Sequence, residues 1–253
     1  MTIAVRATTY AAALCATSAL CLSCGLAQAA PWKGATPQTW PRLRASLDDR
    51  RAARPREPWA AGLRVTMREP HTGRVVDGRG AIAVSPGQAV RMILIGGAGA
   101  TILDAWVTRD RWRVAVPPLD LVRRGGAEEP RDMPVGFLRW WFLTPLGGTL
   151  FAASDGDAAE RGPIWLLRDG RSVVELREGT CEGGQLLRAT RRIEGHAETV
   201  DECRLADRPR VGDTARYVDE SSGLRVEVAF ESIASEPPDP AAFRDPDAEG
   251  SGS

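Results

Sequence analysis

Lysine is nearly absent from this chain. Of its 33 basic residues, every one but Lys33 is arginine. Histidine is scarce too, with only His71 and His196, so sites built on imidazole have little material. No Gly-x-Ser-x-Gly or His-Glu-x-x-His pattern occurs, and no glycine loop leads into a lysine that could cradle phosphate. An enzyme is therefore not expected, and no cofactor is implied. Net charge is lacking as well: 33 acidic residues balance the 33 basic ones, and the pI is near 6.8. That balance argues against a nucleic-acid partner, which would need a basic surface. What remains is an ordinary globular composition, 43% apolar and 26% charged over 253 residues. It suffices for one sizeable core.

Residues 1–29 read as an export signal peptide. Arg6 is their only charge, a small-residue apolar stretch runs from Ala7 to Leu26, and Ala27-Gln28-Ala29 makes a small-x-small cleavage site. The stretch Ala11 to Leu22, interrupted by Thr17 and Ser18, is short for a spanning helix. A second route competes. Leu22-Ser23 before Cys24 resembles part of a bacterial lipoprotein box, with Cys21 where the box usually has leucine. The first route places the domain in the periplasm. Lipidation at Cys24 would tether it to the periplasmic face of the outer membrane.

Cys15, Cys21 and Cys24 lie in or beside that apolar stretch, so only Cys181 and Cys203 belong to the domain. In an oxidising compartment they can form one disulfide. Two separate buried thiols are the alternative. No Cys-x-x-Cys and no nearby histidine support a metal site.

Residues 30–38 read as a linker, 39–246 as one domain and 247–253 as a flexible tail, loosening already beyond Phe243. Thr39 is a candidate N-cap, and Trp40, Leu43 and Leu47 follow on one helical face until Pro55 and Pro58 stop the helix. Beyond Pro58 the pattern turns to period two. Leu63, Val65 and Met67 alternate with Arg64, Thr66 and Arg68, and Leu224, Val226, Val228 and Phe230 alternate with polar neighbours. Gly78 and Gly80 mark a bend or bulge. Pro134 to Leu143 is a second helix candidate, with Val135, Leu138, Trp141 and Phe142 for burial. The spacing predicts 10–11 short strands in an antiparallel meander. The fold class is mainly β (α+β), a single curved antiparallel sheet forming an incomplete β-barrel, with one or two helices over the open side.

From about Leu43 to Phe243 the order of pieces resembles the LolA/LolB-like family of bacterial lipoprotein carriers. An amphipathic helix precedes the strands Leu63 to Arg68 and Gly80 to Val84. Ser85-Pro86, the arginine-bearing strand Ala89 to Ile95, Thr101 to Asp104 and Asp110 to Trp112 follow. Tyr217 to Asp219, Leu224 to Phe230 and Asp239 to Phe243 close the series. The resemblance implies a half-barrel that shelters acyl chains, a chaperone-like carrier in protein transport that localises lipoproteins to the outer membrane. Its partners would be lipoprotein acyl chains or other lipid, with transient contact to the outer or inner membrane surface, and it would act as a monomer. The alternative is an outer-membrane-tethered structural or sensory lipoprotein on the same fold, without transfer.

The expected acyl cavity comprises Val90, Arg91, Met92, Ile93, Leu94, Ile95, Leu103, Trp106, Trp112, Val114, Trp141 and Phe142. Taken singly, each apolar member reads better as core. By resemblance Arg91 would bond helix or loop carbonyls as a latch, and the alternative is a rim arginine whose head reaches solvent. The family's outer-membrane branch carries a bulky apolar residue on the loop after the arginine strand, where this chain has Gly96 to Ala100. Glycine there provides flexibility or a tight turn. Asp155-Gly156-Asp157 reads as a solvated turn rather than a calcium loop, since no glutamate follows at the required spacing. Glu194, Glu198, Asp201 and Glu202 are expected on a wet hairpin face, and both histidines in solvated turns. Intact mass of the protein from its native envelope tests the processing: a chain beginning at Ala30 is expected for signal cleavage, and one beginning at Cys24 with added acyl mass would establish the tethered form.

Overall fold

The computed structural model describes residues 34–130, 133–156, 162–205 and 209–248. The export segment, Cys24, Asp157 and the last five residues of the tail lie outside the described residues. The helix α1 (Trp40–Ala52) buries Leu43 and Leu47 and carries Arg50 and Arg51 in its last turn, where cations favour the helix dipole. Thr39 holds the N-cap position without capping. Its hydroxyl instead accepts the Thr36 N–H at 3.0 Å.

Thirteen strands follow: β1 (Trp59–Arg68), β2 (Val75–Ser85), β3 (Ala89–Ile95), β4 (Thr101–Thr108), β5 (Trp112–Val116), β6 (Leu121–Gly125), β7 (Thr149–Ser154), β8 (Ile164–Asp169), β9 (Ser172–Cys181), β10 (Gly184–Ile193), β11 (His196–Arg204), β12 (Thr214–Asp219) and β13 (Arg225–Ile233). They form one sheet in the order β6-β5-β4-β3-β2-β1-β13-β12-β11-β10-β9-β8-β7. Two meanders, β1–β6 and β7–β13, are joined through the antiparallel pairing of β1 with β13, as in Val65 opposite Val228. The sheet stays open between β6 and β7, and the chain from 126 to 148 links these two edges. The incomplete antiparallel barrel is thus as expected, with more strands. Leu121 to Gly125 escapes a search for alternation because β6 is an edge with Leu121 and Val122 exposed.

Alternation assigns one face of this sheet to the core. Leu63, Val65, Ile82, Val84, Val90, Met92, Leu94, Trp165, Leu167, Tyr217 and Val226 are buried on it. Gly80 is not at a bulge; its pairing with Leu94 is regular, and a side chain there would strike the Ile93 carbonyl oxygen. The register shifts fall instead at Gly62/Leu63, Leu94/Ile95 and Leu150/Ala152. The expected tail is fastened further than its composition suggested. Asp245 pairs with Arg111 at 3.1 Å, Asp247 pairs with Arg113 at 3.0 Å, and Trp106 Nε1 donates to the Phe243 carbonyl at 3.0 Å. Among the described residues no helix is long and apolar enough to cross a membrane.

Cys181 and Cys203 form a disulfide, 22 residues apart, that ties the end of β9 to β11. Closing a loop of that length removes unfolded-state entropy worth about 3 kcal/mol. Cys181→Ser is expected to lower unfolding free energy by about that amount in non-reducing denaturant titrations. The two proteins should coincide when both are measured with reductant.

Candidate functional site

The expected cavity residues divide by strand alternation. Val90, Met92, Leu94, Leu103, Trp112 and Val114 point to the core, where Trp141 and Phe142 meet them. Arg91, Ile93 and Ile95 alternate with the buried residues of β3 and so lie on the opposite face. Trp106, directly across from Arg91, shares it. Arg91 forks onto Asp104, Nε to Oδ1 and Nη2 to Oδ2, both at 3.0 Å. Asp104 also lies 3.6 Å from Arg113 Nη1, so Arg91 joins the charge ladder beneath the C-terminal segment. The loop after β3 is a tight turn, closed by the Gly96 N–H on the Ala100 carbonyl at 2.9 Å.

The core face is filled by the chain itself. In the connection between β6 and β7, Met133, Val135, Leu146 and the whole π-helical run Phe137–Leu143 are buried. π-Helical turns are rare and recur at functional sites. Phe137 stacks on Tyr217 with centroids 5.2 Å apart and meets Phe142 edge-on at 5.1 Å. The Gly87 N–H donates to the Leu143 carbonyl at 2.9 Å, and Arg51 Nε donates to the Leu146 carbonyl at 3.1 Å. Trp165 Nε1 donates to the Leu43 carbonyl at 2.8 Å, which seats α1 on the same face.

Arginine pins this plug from within. Arg139, buried in the π-helical run, donates to the carbonyls of Thr108, Ala127 and Gly126 at 2.8, 2.7 and 3.1 Å. Bonding of loop carbonyls, expected of Arg91, is thus carried by Arg139. Glu129 sits between Arg139, 3.5 Å away, and Arg191, with which it makes a close pair. Arg191 also bonds Glu198 at 2.9 Å and lies over the Trp140 ring, 5.3 Å from its centroid. His196 Nε2 stands 3.6 Å from Glu198. Burial, with Glu129 and Asp219 adding to it, outweighs Arg191 and pushes the Glu198 carboxyl up to about 7.

Glu198 and Glu202 are therefore not on a wet face. They occupy alternate, inward positions of β11 with Val200 between them, and they are 3% and 6% exposed. His196 is likewise mostly buried, its side chain 11% exposed, rather than solvated. Glu202 accepts a fork from Arg54, Nη1 at 3.0 Å and Nη2 at 2.7 Å, and a contact from Arg204 at 3.1 Å. Burial pushes its carboxyl up, but Arg54 and Arg204 outweigh that and hold it below the usual range. Arg54 in turn covers Trp141 at 5.0 Å.

Openings converge on Arg54. A groove of about 570 Å³ is lined by Pro55, Pro58, Trp59, Pro209 and Ile233, and a pocket of about 240 Å³ by Arg50, Glu178, Gln185 and Arg204; Arg54 borders both. Beside Trp141 and Phe142 the remaining space is about 20 Å³. Among the described residues no group of three or more His, Cys, Asp or Glu side chains is placed to hold a metal.

No protein family matches the chain, and no curated protein does. Solved structures that resemble it include LolA superfamily proteins. A putative outer membrane lipoprotein-sorting protein domain from Vibrio parahaemolyticus is 11% identical, with 80% of this chain and 95% of that chain covered and a TM-score of 0.44. A LolA superfamily protein from Nitrosomonas europaea is 10% identical, with 80% and 97% covered and a TM-score of 0.45. A DUF1329 family protein from Desulfovibrio piger is 10% identical, with 80% and 95% covered and a TM-score of 0.42. Likeness at these values decides nothing about activity, and the functional reading rests on the chain's own residues.

Glu198 makes the plug's seat pH-dependent. Its folded-state pKa of about 7 lies above the ordinary 4.5, so the folded form binds the proton more tightly and loses stability as pH rises from 4.5 through 7. Glu198→Gln removes the buried charge. Its melting temperature relative to the parent is expected to be higher at pH 8 than at pH 5, read by calorimetry. An equal difference at both pH values would show that Glu198 does not titrate in that interval.

Proposed function

We propose that the protein is an exported acyl-chain-binding protein of the bacterial envelope, a lipoprotein carrier whose apolar sheet face is closed by residues 133–146 until cargo displaces them. The observation that carries this reading is the plug itself. A broad apolar face, running from Val90 and Met92 to Val226, is covered by a connection that makes no strand pairing with the sheet. A cover of this kind can leave without breaking a β-ladder. An acyl chain would offset the lost contacts at about 0.8 kcal/mol per buried methylene. Loss of Arg139's three carbonyl bonds would oppose opening.

The filled interior also supports a second reading, a tethered structural or sensory envelope module in which the plug is permanent core. Hydrogen exchange separates the two. On saturation with a dansyl-labelled fatty acid, a carrier is expected to lose amide protection within 133–146 while β1 and β13 keep theirs. Unchanged protection throughout the plug would sink the carrier reading in favour of the permanent core.

A further inference from the structure

One nitrogen at the seat of the plug serves two carboxylates. Arg191 Nη2 donates to Glu129 Oε2 in a close pair and to Glu198 Oε2 at 2.9 Å. Glu129 belongs to the connection and Glu198 to β11, so the seated connection brings two like charges to one donor. Both carboxyl groups also face Gly136, just before the π-helical run. A side chain there would stand 3.4 Å from Glu129 Oε2 and 3.4 Å from Glu198 Oε1. Phe137 follows on Tyr217, and Trp140 lies against Arg191. The start of the plug therefore lies over Glu198, which is buried.

The groups that face Glu198 come from several elements. β10 contributes Arg191, the connection Glu129, and the plug Arg139, whose partner is Glu129 at 3.5 Å. β11 contributes His196, with Nε2 3.6 Å away, and β12 contributes Tyr217 and Asp219. Asp219 is fully buried. Its Oδ1 accepts from Ser221 and Ser222, while its Oδ2 has no hydrogen-bond partner among the described residues. Carboxylates so placed disfavour a further negative charge beside them.

We propose that Glu198 is a proton-operated catch for the plug: with its proton it lets residues 133–146 seat against β10–β12, and without it the seat weakens and the plug opens. In the seated state an ionised Glu198 shares Arg191 Nη2 with Glu129, beside Asp219 and away from water. Lifting Gly136 and its neighbours hydrates the carboxyl and relieves that cost, so opening and proton release favour each other. The seated carboxyl titrates at about 7 and a hydrated one near 4.5. The catch is therefore fully present below 4.5 and is lost as pH rises through 7. Arg191 stays charged throughout: burial lowers its pKa, but Glu129 and Glu198 together more than restore it. The inference rests on the reading of residues 133–146 as a displaceable cover and adds the group that governs the displacement.

Hydrogen exchange of the ligand-free full chain at pH 5.5 and pH 8, with rates normalised to the unstructured peptide at each pH, tests it. The opening constant of residues 133–146 is expected to exceed that of β1 and β13 at both values, as local opening requires. It is expected to rise about 10-fold or more from the lower pH to the higher. Glu198→Gln is expected to hold it within about twofold across the same range. Glu129→Gln removes the competing carboxylate and is expected to move the midpoint of the response to lower pH, which reads the same catch should Glu198→Gln fail to fold. A response that survives Glu198→Gln would place the titrating group elsewhere, His196 included, and overturn the assignment. A plug that exchanges only together with β1 and β13 would show that the proton acts on global unfolding, and would also overturn it. Exchange that is independent of pH yet rises on saturation with dansyl-labelled fatty acid would overturn the catch and leave the carrier reading standing. Exchange moved by neither would overturn both.

Discussion

An open antiparallel sheet with one apolar face must have that face covered, and most of this structure follows from how the chain does so. The two meanders meet where β1 pairs with β13, which leaves β6 and β7 as edges that are consecutive in sequence but do not pair. The segment between them has to travel from one edge to the other. It does so across the apolar face and buries Phe137, Leu138, Trp140, Trp141, Phe142 and Leu143 on the way. Covering the face and linking the edges are one solution. α1 completes it from the β8 side, through Leu43 and Leu47.

Arginine fastens this segment to the sheet. Arg139 donates to the carbonyls of Thr108, where β4 ends, and of Gly126 and Ala127, where the connection begins. Its own charge is met by Glu129, which also pairs with Arg191, and Arg191 in turn pairs with Glu198. Buried charge pairs contribute little net stability but penalise any arrangement that separates them. The network therefore fixes where the plug sits more than how firmly the whole chain is folded. The preference for arginine over lysine has a structural use here, because forked donors satisfy two acceptors from one position.

The plug is held at several separate points. Phe137 packs on Tyr217, Arg54 covers Trp141, and Arg139 bonds the Thr108, Gly126 and Ala127 carbonyls. In the proposed carrier, opening would be a local rearrangement rather than unfolding, of the kind expected of segments with few backbone ties to their surroundings.

Period-two alternation determined the strands, the two-sided character of the sheet and the antiparallel meander. These depend on neighbours in sequence, and Leu224 to Phe230 or Leu63 to Met67 display them without context. The helix at Leu43 and Leu47 and the burial of Val135, Leu138, Trp141 and Phe142 were legible for the same reason. The disulfide was legible too, because Cys181 and Cys203 are the two cysteines outside the export segment. The charge network was not legible. Glu198, Val200 and Glu202 do alternate, but two glutamates on one face read as solvated unless their arginines are known, and Arg54, Arg139 and Arg191 come from distant parts of the chain. Arg91 looked like the interior arginine because its strand is apolar on both faces. Only the packing of the C-terminal segment against Trp106, Arg113 and Arg124 decided that its face lies outside. Whether the sheet encloses a cavity or its own connection was likewise a tertiary decision. It turns on where 126–148 runs between two edges, and no local periodicity encodes that path.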